Sequence, residues 1–334
     1  MTFWQIAAGE DGRDYRNEFL RYGLAFVGGN TNIERMQSVQ CGDIIVLKRG
    51  VTEIIAAGSV VERNDKCNGH DDKDWLYHFD GWELPAWCYV NWHIPETLLA
   101  FGGLARGMIS RIQILALQDG VRSLLQNTPA TTTYIPEPGP TKKISDDDLL
   151  DHLVKWGLRV QAAAEVAVAL RRIRLLSNYY MQSIWDDTNI VGEHEARTFL
   201  VIPFLIALGW TEQQLKIEFA CPGGGTVDIA CFNAAYHVEN SECVLLVETK
   251  APKIGLDFAP KQALDYTLGF PECRIAVVTN GFCYKAFRLT TGSTFSTQPC
   301  ACVDLRDLRD KYPRDPAVDG FELLRYLLPS YRMT

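Results

Sequence analysis

The spacing of apolar residues changes character along the chain. In the first 95 residues, compact apolar runs of strand length alternate with polar breaks: "TFWQIA" near the start, "GDIIVLKRG" (42–50) and "EIIAAGSVVERN" (53–64). A helix is expected near Arg13 to Arg21. Residues 96–127 read as one or two helices that join this module to the rest of the chain. The proline- and threonine-rich stretch "NTPATTTYIPEPGPTKK" (127–143) has almost nothing apolar to bury, so an extended spacer is expected there.

Beyond the spacer the pattern first takes the period of helices. Ser145 stands as an N-cap before acids that suit the helix dipole, and a second helix is expected over 160–183. A third begins near Gly192, with Pro203 inside its pattern and expected to bend or split it. The period then drops to that of strands in "LKIEFA" (215–220), "TVDIACF" (226–232) and "CVLLVETKA" (243–251), a meander of three. A short helix comes next between Pro260 and Gly269, and two more strand-like runs turn about Asn280-Gly281. The order α-β-β-β-α-β-β predicts a mixed α/β core, and the whole chain an α/β multidomain protein.

Composition narrows the class. The longest apolar run, "FLVIPFLIALGW", has 12 residues and is too short to span a bilayer, so no membrane role is expected. The opening "TFWQIAAG" lacks the basic stretch and apolar core of a signal peptide, which favours a cytoplasmic protein. Ten cysteines without CxxC pairs read as reduced thiols in that compartment. A net charge of −8 argues against a protein that coats DNA through general positive charge, though not against local basic surface. A GxxxxGK[ST] loop is absent, so ATP hydrolysis by this chain is not expected.

The chemistry concentrates in "VLLVETKAP" (244–252). Residues two apart on a strand share a face, so Glu248 and Lys250 are neighbours at the end of an apolar strand. Burying such ions costs several kcal/mol each unless they are partnered. Asp228, in the preceding strand, would sit beside Glu248 if the two strands pair. Two carboxylates and a lysine at a sheet edge make an oxygen-rich site for Mg²⁺, where a phosphodiester could be polarised and a water activated. The plainer reading is a structural ion pair at a strand end.

Five segments taken together, "GEHEARTFLVIPFLIALGW", "VDIACF", "VLLVETKAP", "KQALDYTLGF" and "RIAVVTNGFCYKAFRL", resemble the PD-(D/E)xK nuclease superfamily over residues 190–290. The nearest likeness is to the nuclease domain at the front of type I restriction motor subunits. The resemblance implies that Asp228 and Glu248 are metal ligands for Mg²⁺, with Mn²⁺ as a substitute, and that Lys250 is the motif lysine. It implies that Gln262 helps orient the site and that a helix glutamate contributes, either Glu193 or Glu195, with Glu193 the better fit. Val227 stands where the superfamily often has proline.

In the first module, Trp4 and the stretch Asp74–Pro95, with Trp75, Trp82, Trp87 and Trp92, give two readings: core filling, or a cage that stacks a flipped base. "FWQIAAGEDGRDYRNEFLRYGLAFVGG", "GDIIVLKRG" and "IIAAGSVVE" resemble an EVE domain of the PUA superfamily, over residues 1–95. That resemblance implies a β-barrel with helices that holds a modified base, with those five tryptophans as candidates. Asp43 and Lys48 are expected to serve the turn and the surface.

The division expected is therefore 1–95 for a modified-base reader, 96–144 for a helical connector and linker, and 145–334 for a nuclease. The function expected is a modification-dependent DNA endonuclease of restriction or phage defence, acting on double-stranded DNA as a homodimer. A non-cleaving nucleic-acid sensor and an RNA-directed nuclease are the alternatives.

Overall fold

The computed structural model describes residues 1–79, 81–185, 191–289, 295–296 and 298–331. Asp80 of the tryptophan-rich stretch, and residues 186–190, 290–294, 297 and 332–334 of the expected nuclease segment, lie outside them. The chain divides into two compact units, Met1–Gly139 and Pro140–Thr334.

The first unit contains β1 (Phe3–Ala7), α1 (Arg16–Tyr22), β2 (Leu24–Val27), α2 (Asn30–Gln37), β3 (Ile44–Arg49), β4 (Glu53–Val60) and β5 (Asn68–His70). A 3₁₀ turn (Asp74–Tyr77), β6 (Ala86–His93), β7 (Leu99–Ala100), β8 (Ile109–Arg111) and α3 (Leu115–Asn127) complete it. Its sheet runs β2-β6-β4-β3-β1-β8, with β5 added to β6 and β7 to β4. β1 and β3 are parallel, and the remaining pairs are antiparallel. The sheet is curled into a half-barrel, with β2 and β8 at the ends of its order.

Strand alternation feeds two cores. Trp4, Ile6, Ile45 and Leu47 enter one, with Phe19 and Trp92. Phe3, Ile44, Val46 and Ile54 enter the other, which is closed by Leu117, Val121 and Leu124 at helical spacing on α3. Residues 96–127 are therefore not a helical connector. β8 pairs with β1 (Trp4↔Arg111, Gln5↔Ser110), and α3 covers one face of the sheet. The spacer lacks regular structure, yet its first part is docked. Tyr134 Oη accepts from Trp92 N at 2.7 Å, Ile135 N donates to Arg21 O at 3.1 Å, and Glu137 meets Lys73 Nζ at 2.5 Å.

The second unit begins with α4 (Asp146–Lys155), capped by Ser145 Oγ accepting from Asp148 N, and α5 (Val160–Trp185). α6 (Glu193–Ala196) continues through a π-helical turn (Arg197–Val201) into α7 (Ile202–Ala207). Pro203 thus neither splits nor ends the helix. Its ring would crowd the carbonyl of Phe199, four residues back, and the widened turn gives that carbonyl room.

A 3₁₀ turn (Glu212–Gln214) leads to β9 (Leu215–Ala220), β10 (Thr226–Phe232) and β11 (Cys243–Thr249), followed by α8 (Ala259–Thr267), β12 (Ile275–Thr279) and β13 (Cys283–Arg288). β14 (Ala301–Asp304), β15 (Lys311–Tyr312), β16 (Asp315–Asp319) and α9 (Leu323–Tyr326) extend the sheet beyond the sequence expectation. Its order is β15-β16-β14-β13-β12-β11-β10-β9. β9, β10 and β11 form the expected antiparallel meander, and α8 crosses over to bring β12 parallel to β11. Ile229, Val247 and Val277 bury against helix residues such as Leu170, Phe204 and Leu205. All ten cysteines are free thiols, and among the described residues no helix is long and apolar enough to cross a membrane.

Candidate active site

The register of the meander assembles the charged residues. Ile229 pairs with Val247 on one side and Ile217 on the other, and Val227 pairs with Phe219. One residue from those pairs, Asp228 falls between Glu218 of β9 and Glu248 of β11, so three carboxylates form a row across three strands. Two of them are buried: Asp228 is 9% exposed and Glu248 2%. Such burial needs partners, and the local chain supplies them. Thr249 donates to Asp228 Oδ2 twice, from its backbone N at 2.6 Å and its Oγ1 at 2.7 Å. Arg197 donates to Asp228 Oδ1.

Lys250 follows the last strand residue, and its backbone N still donates to Thr279 O at 2.8 Å. Its Nζ donates to Glu248 Oε1 at 2.7 Å, with Gln262 Oε1 at 3.5 Å and Glu193 Oε2 at 3.8 Å. Gln262 reaches it from the first turns of α8 and donates in turn to Tyr266 Oη at 3.0 Å, one helical turn on. Four of the five residues expected at the site, Glu193, Glu248, Lys250 and Gln262, thus meet around one ammonium, and Asp228 lies beside Glu248 in the row. Glu195, the other candidate for the helix glutamate, is engaged elsewhere: it accepts from Gly192 N at 2.9 Å and caps the start of α6.

The electrostatics follow from burial. Glu248 is pushed up to about 7, first by desolvation and then by Asp228, against the hydrogen bond from Lys250. Glu193 is also raised, chiefly by desolvation and partly by Asp228, with Lys250 opposing. Desolvation alone would lower Lys250, but the hydrogen bond to Glu248 and the surrounding acids leave it raised. Lys250 is therefore held charged, while Glu248 and Glu193 resist ionisation.

Sequence reasoning missed Arg197, Glu218, Thr249 and Tyr266. Tyr266 carried a usable signal, four residues after Gln262 on one helix face. Glu218 carried none, because its role depends on a left-handed backbone (φ 50°) inside a strand.

The donor set fits a divalent ion in one specific respect. Among the described residues, Glu248 Oε2 is buried without a hydrogen-bond partner, on a carboxylate beside a second acid. Hard-cation sites use such oxygens. Among the described residues, no three His, Cys, Asp or Glu are grouped closely enough to form a metal shell by themselves. Lys250 donates to Glu248 Oε1 and Arg197 to Asp228 Oδ1, the other oxygens of that pair.

The aromatic cage expected in the first unit is not formed by the expected residues. Trp4, Trp87 and Trp92 are at most 2% exposed and Trp75 6%. Their indole N–H groups are spent internally, on Asp43, Asp72, the Phe19 carbonyl and Glu137 respectively for Trp4, Trp87, Trp92 and Trp75. Trp82 is half-buried, with the Arg13 guanidinium 3.9 Å over its ring. Trp87 and Tyr89 do enclose a cation, but it is Lys73, whose Nζ lies 4.1 Å and 5.0 Å from their ring centres. Lys48 is buried rather than on the surface, donates to Gly50 O at 3.2 Å, and is lowered by desolvation. Asp43 serves its turn as expected, accepting from Thr2 N and Gln40 N.

No family model matches the chain, and no curated protein matches it.

Proposed function

We propose that the chain is an Mg²⁺-dependent endodeoxyribonuclease, with Mn²⁺ as a substitute, of the PD-(D/E)xK kind. Its substrate is double-stranded DNA carrying a modified base, as in modification-dependent restriction. The observation that carries the cutting half is the unpartnered, buried Glu248 Oε2 beside Asp228 and Lys250. A scaffold without chemistry gains nothing from keeping a carboxylate that burial drives to a pKa of about 7.

Asp228 and Glu248 would hold the ion, which when bound supplies Lewis-acid polarisation of a phosphodiester and a more acidic water. Lys250, held charged between Glu248 and Glu193, offers N–H donors to the attacking oxygen and to charge developing on the phosphate. Gln262 limits where that ammonium can go, and Tyr266 in turn anchors Gln262. Glu193, raised by desolvation, can take up a proton near Lys250 Nζ. The first unit is read as the part that selects DNA. Its buried tryptophans support core packing, so a base-binding surface there must use other residues.

The test is plasmid cleavage with Mg²⁺ or Mn²⁺ on unmodified DNA, cytosine-modified DNA, adenine-modified DNA and RNA. Wild type should cut modified DNA and stop in EDTA. Lys250→Ala should lose roughly 10²–10³-fold in rate, and Asp228→Asn should be inactive. RNA cleavage alone would replace DNA as the substrate. No cleavage of any substrate, alike for wild type and Lys250→Ala, would leave a nucleic-acid sensor.

A further inference from the structure

We infer that Arg197 is the positioning residue for Asp228 and that Glu218 is its counter-charge, so that this pair sets the divalent-ion affinity of the site. The inference rests on the nuclease reading above and concerns residues which that reading does not use.

Arg197 is 4% exposed and lies at the start of the π-helical turn. Its guanidinium is a fork with three engagements. One terminal nitrogen donates to Asp228 Oδ1, and the other donates to Glu218 Oε1 at 2.7 Å and reaches His194 Nδ1 at 2.6 Å. The consequence for Asp228 is geometric. An ionised carboxylate has about four lone-pair sites. Thr249 occupies two on Oδ2, and Arg197 occupies one on Oδ1. One remains, on Oδ1, so Asp228 is left able to ligate through a single oxygen in a fixed orientation. Outer residues that fix a ligand in this way typically account for about 10–100-fold in metal affinity.

A guanidinium beside a metal ligand also repels the ion. Glu218 answers that charge. Its carboxylate pairs with the terminal nitrogen of Arg197 that Asp228 does not use, and it does so from a left-handed backbone conformation that a glutamate in a strand seldom adopts. The sheet register points the same way, since Glu218 is opposite Asp228. Arg197 can therefore orient Asp228 with much of its own charge neutralised.

The experiment is calorimetric titration of Mn²⁺ into the metal-free 334-residue chain, wild type against Arg197→Met, Arg197→Lys and Glu218→Gln, with each variant's melting temperature taken in EDTA. Arg197→Met should bind Mn²⁺ about 10–100-fold more weakly. Arg197→Lys, which keeps the charge but not the fork, should fall between it and wild type. Glu218→Gln should weaken binding while its melting temperature in EDTA stays at the wild-type value, a split that a merely structural role would not produce. Affinity equal to or tighter than wild type in folded Arg197 variants overturns the inference while leaving the nuclease reading intact. If Arg197→Met does not fold, unchanged affinity in both Arg197→Lys and Glu218→Gln overturns it equally. Absence of Mn²⁺ binding by wild type overturns the inference and the nuclease reading together.

Discussion

Glu248 connects stability to pH through one side chain. Its folded-state pKa stands near 7, above the ordinary value of 4.5, because burial and Asp228 disfavour its charge. The stabilisation that comes with its protonated form is complete below pH 4.5 and is lost as pH rises through 7. Glu248→Gln mimics the protonated form permanently. The metal-free variant should therefore be more stable than wild type at about pH 8, by about 1–3 kcal/mol, with the difference vanishing towards the acid end, and it should not cut DNA. Thermal denaturation in EDTA across that range checks it; equal stability at the alkaline end would contradict the strain assigned to this carboxylate. Asp228, Glu248 and Lys250 were legible in the sequence because strand alternation and a short meander fix both face and register. Glu218 and Arg197 were not, since one depends on a backbone angle and the other on a widened helical turn. The tryptophans misled for a different reason. Aromatic density says nothing of which side of a sheet is covered, and in the first unit both sides are.

At the scale of elements, that second cover is α3. The boundary at residue 95 cuts off β8 and α3, leaving Phe3, Ile44, Val46 and Ile54 without Leu117, Val121 and Leu124. A fragment of residues 1–139 should fold cooperatively, whereas a fragment of residues 1–95 should not, as read by circular dichroism and amide dispersion in NMR spectra. Cooperative folding of the shorter fragment would mean that the α3 core is dispensable. The sequence reading spread one or two helices over 96–127, of which α3 takes only Leu115–Asn127, because a three-residue strand such as β8 leaves no period to read. Without that strand, the helix reads as part of a connector. The extension β14–β16 escaped for the same reason, its strands being two to five residues long.

For the whole molecule, net charge is −8, so the proposed contact with DNA phosphates would have to come from local basic groups and should weaken steeply with salt. On the proposed reading, a chain with one such site would cut one strand per event. Plasmid digestion should accumulate nicked circles before linear product, and the ratio of linear to nicked should rise with protein concentration if two copies act together. Linear product without a nicked intermediate at the lowest active concentration would exclude that scheme.

The run from Glu193 to Ala207 counts one residue too many for an ordinary helix, and the surplus is absorbed between Arg197 and Val201. Each helical residue is worth about 100° of rotation. Removing Phe199, which is 44% exposed, should restore regular winding and swing Glu193 and Arg197 away from the acids, while Phe204 and Leu205 keep their seats in the core. Such a deletion would press the Pro203 ring against a carbonyl of an ordinary helix and take Arg197 from the buried Asp228, so the shortened chain should melt below the parent in EDTA and, on the proposed reading, bind Mn²⁺ more weakly as well.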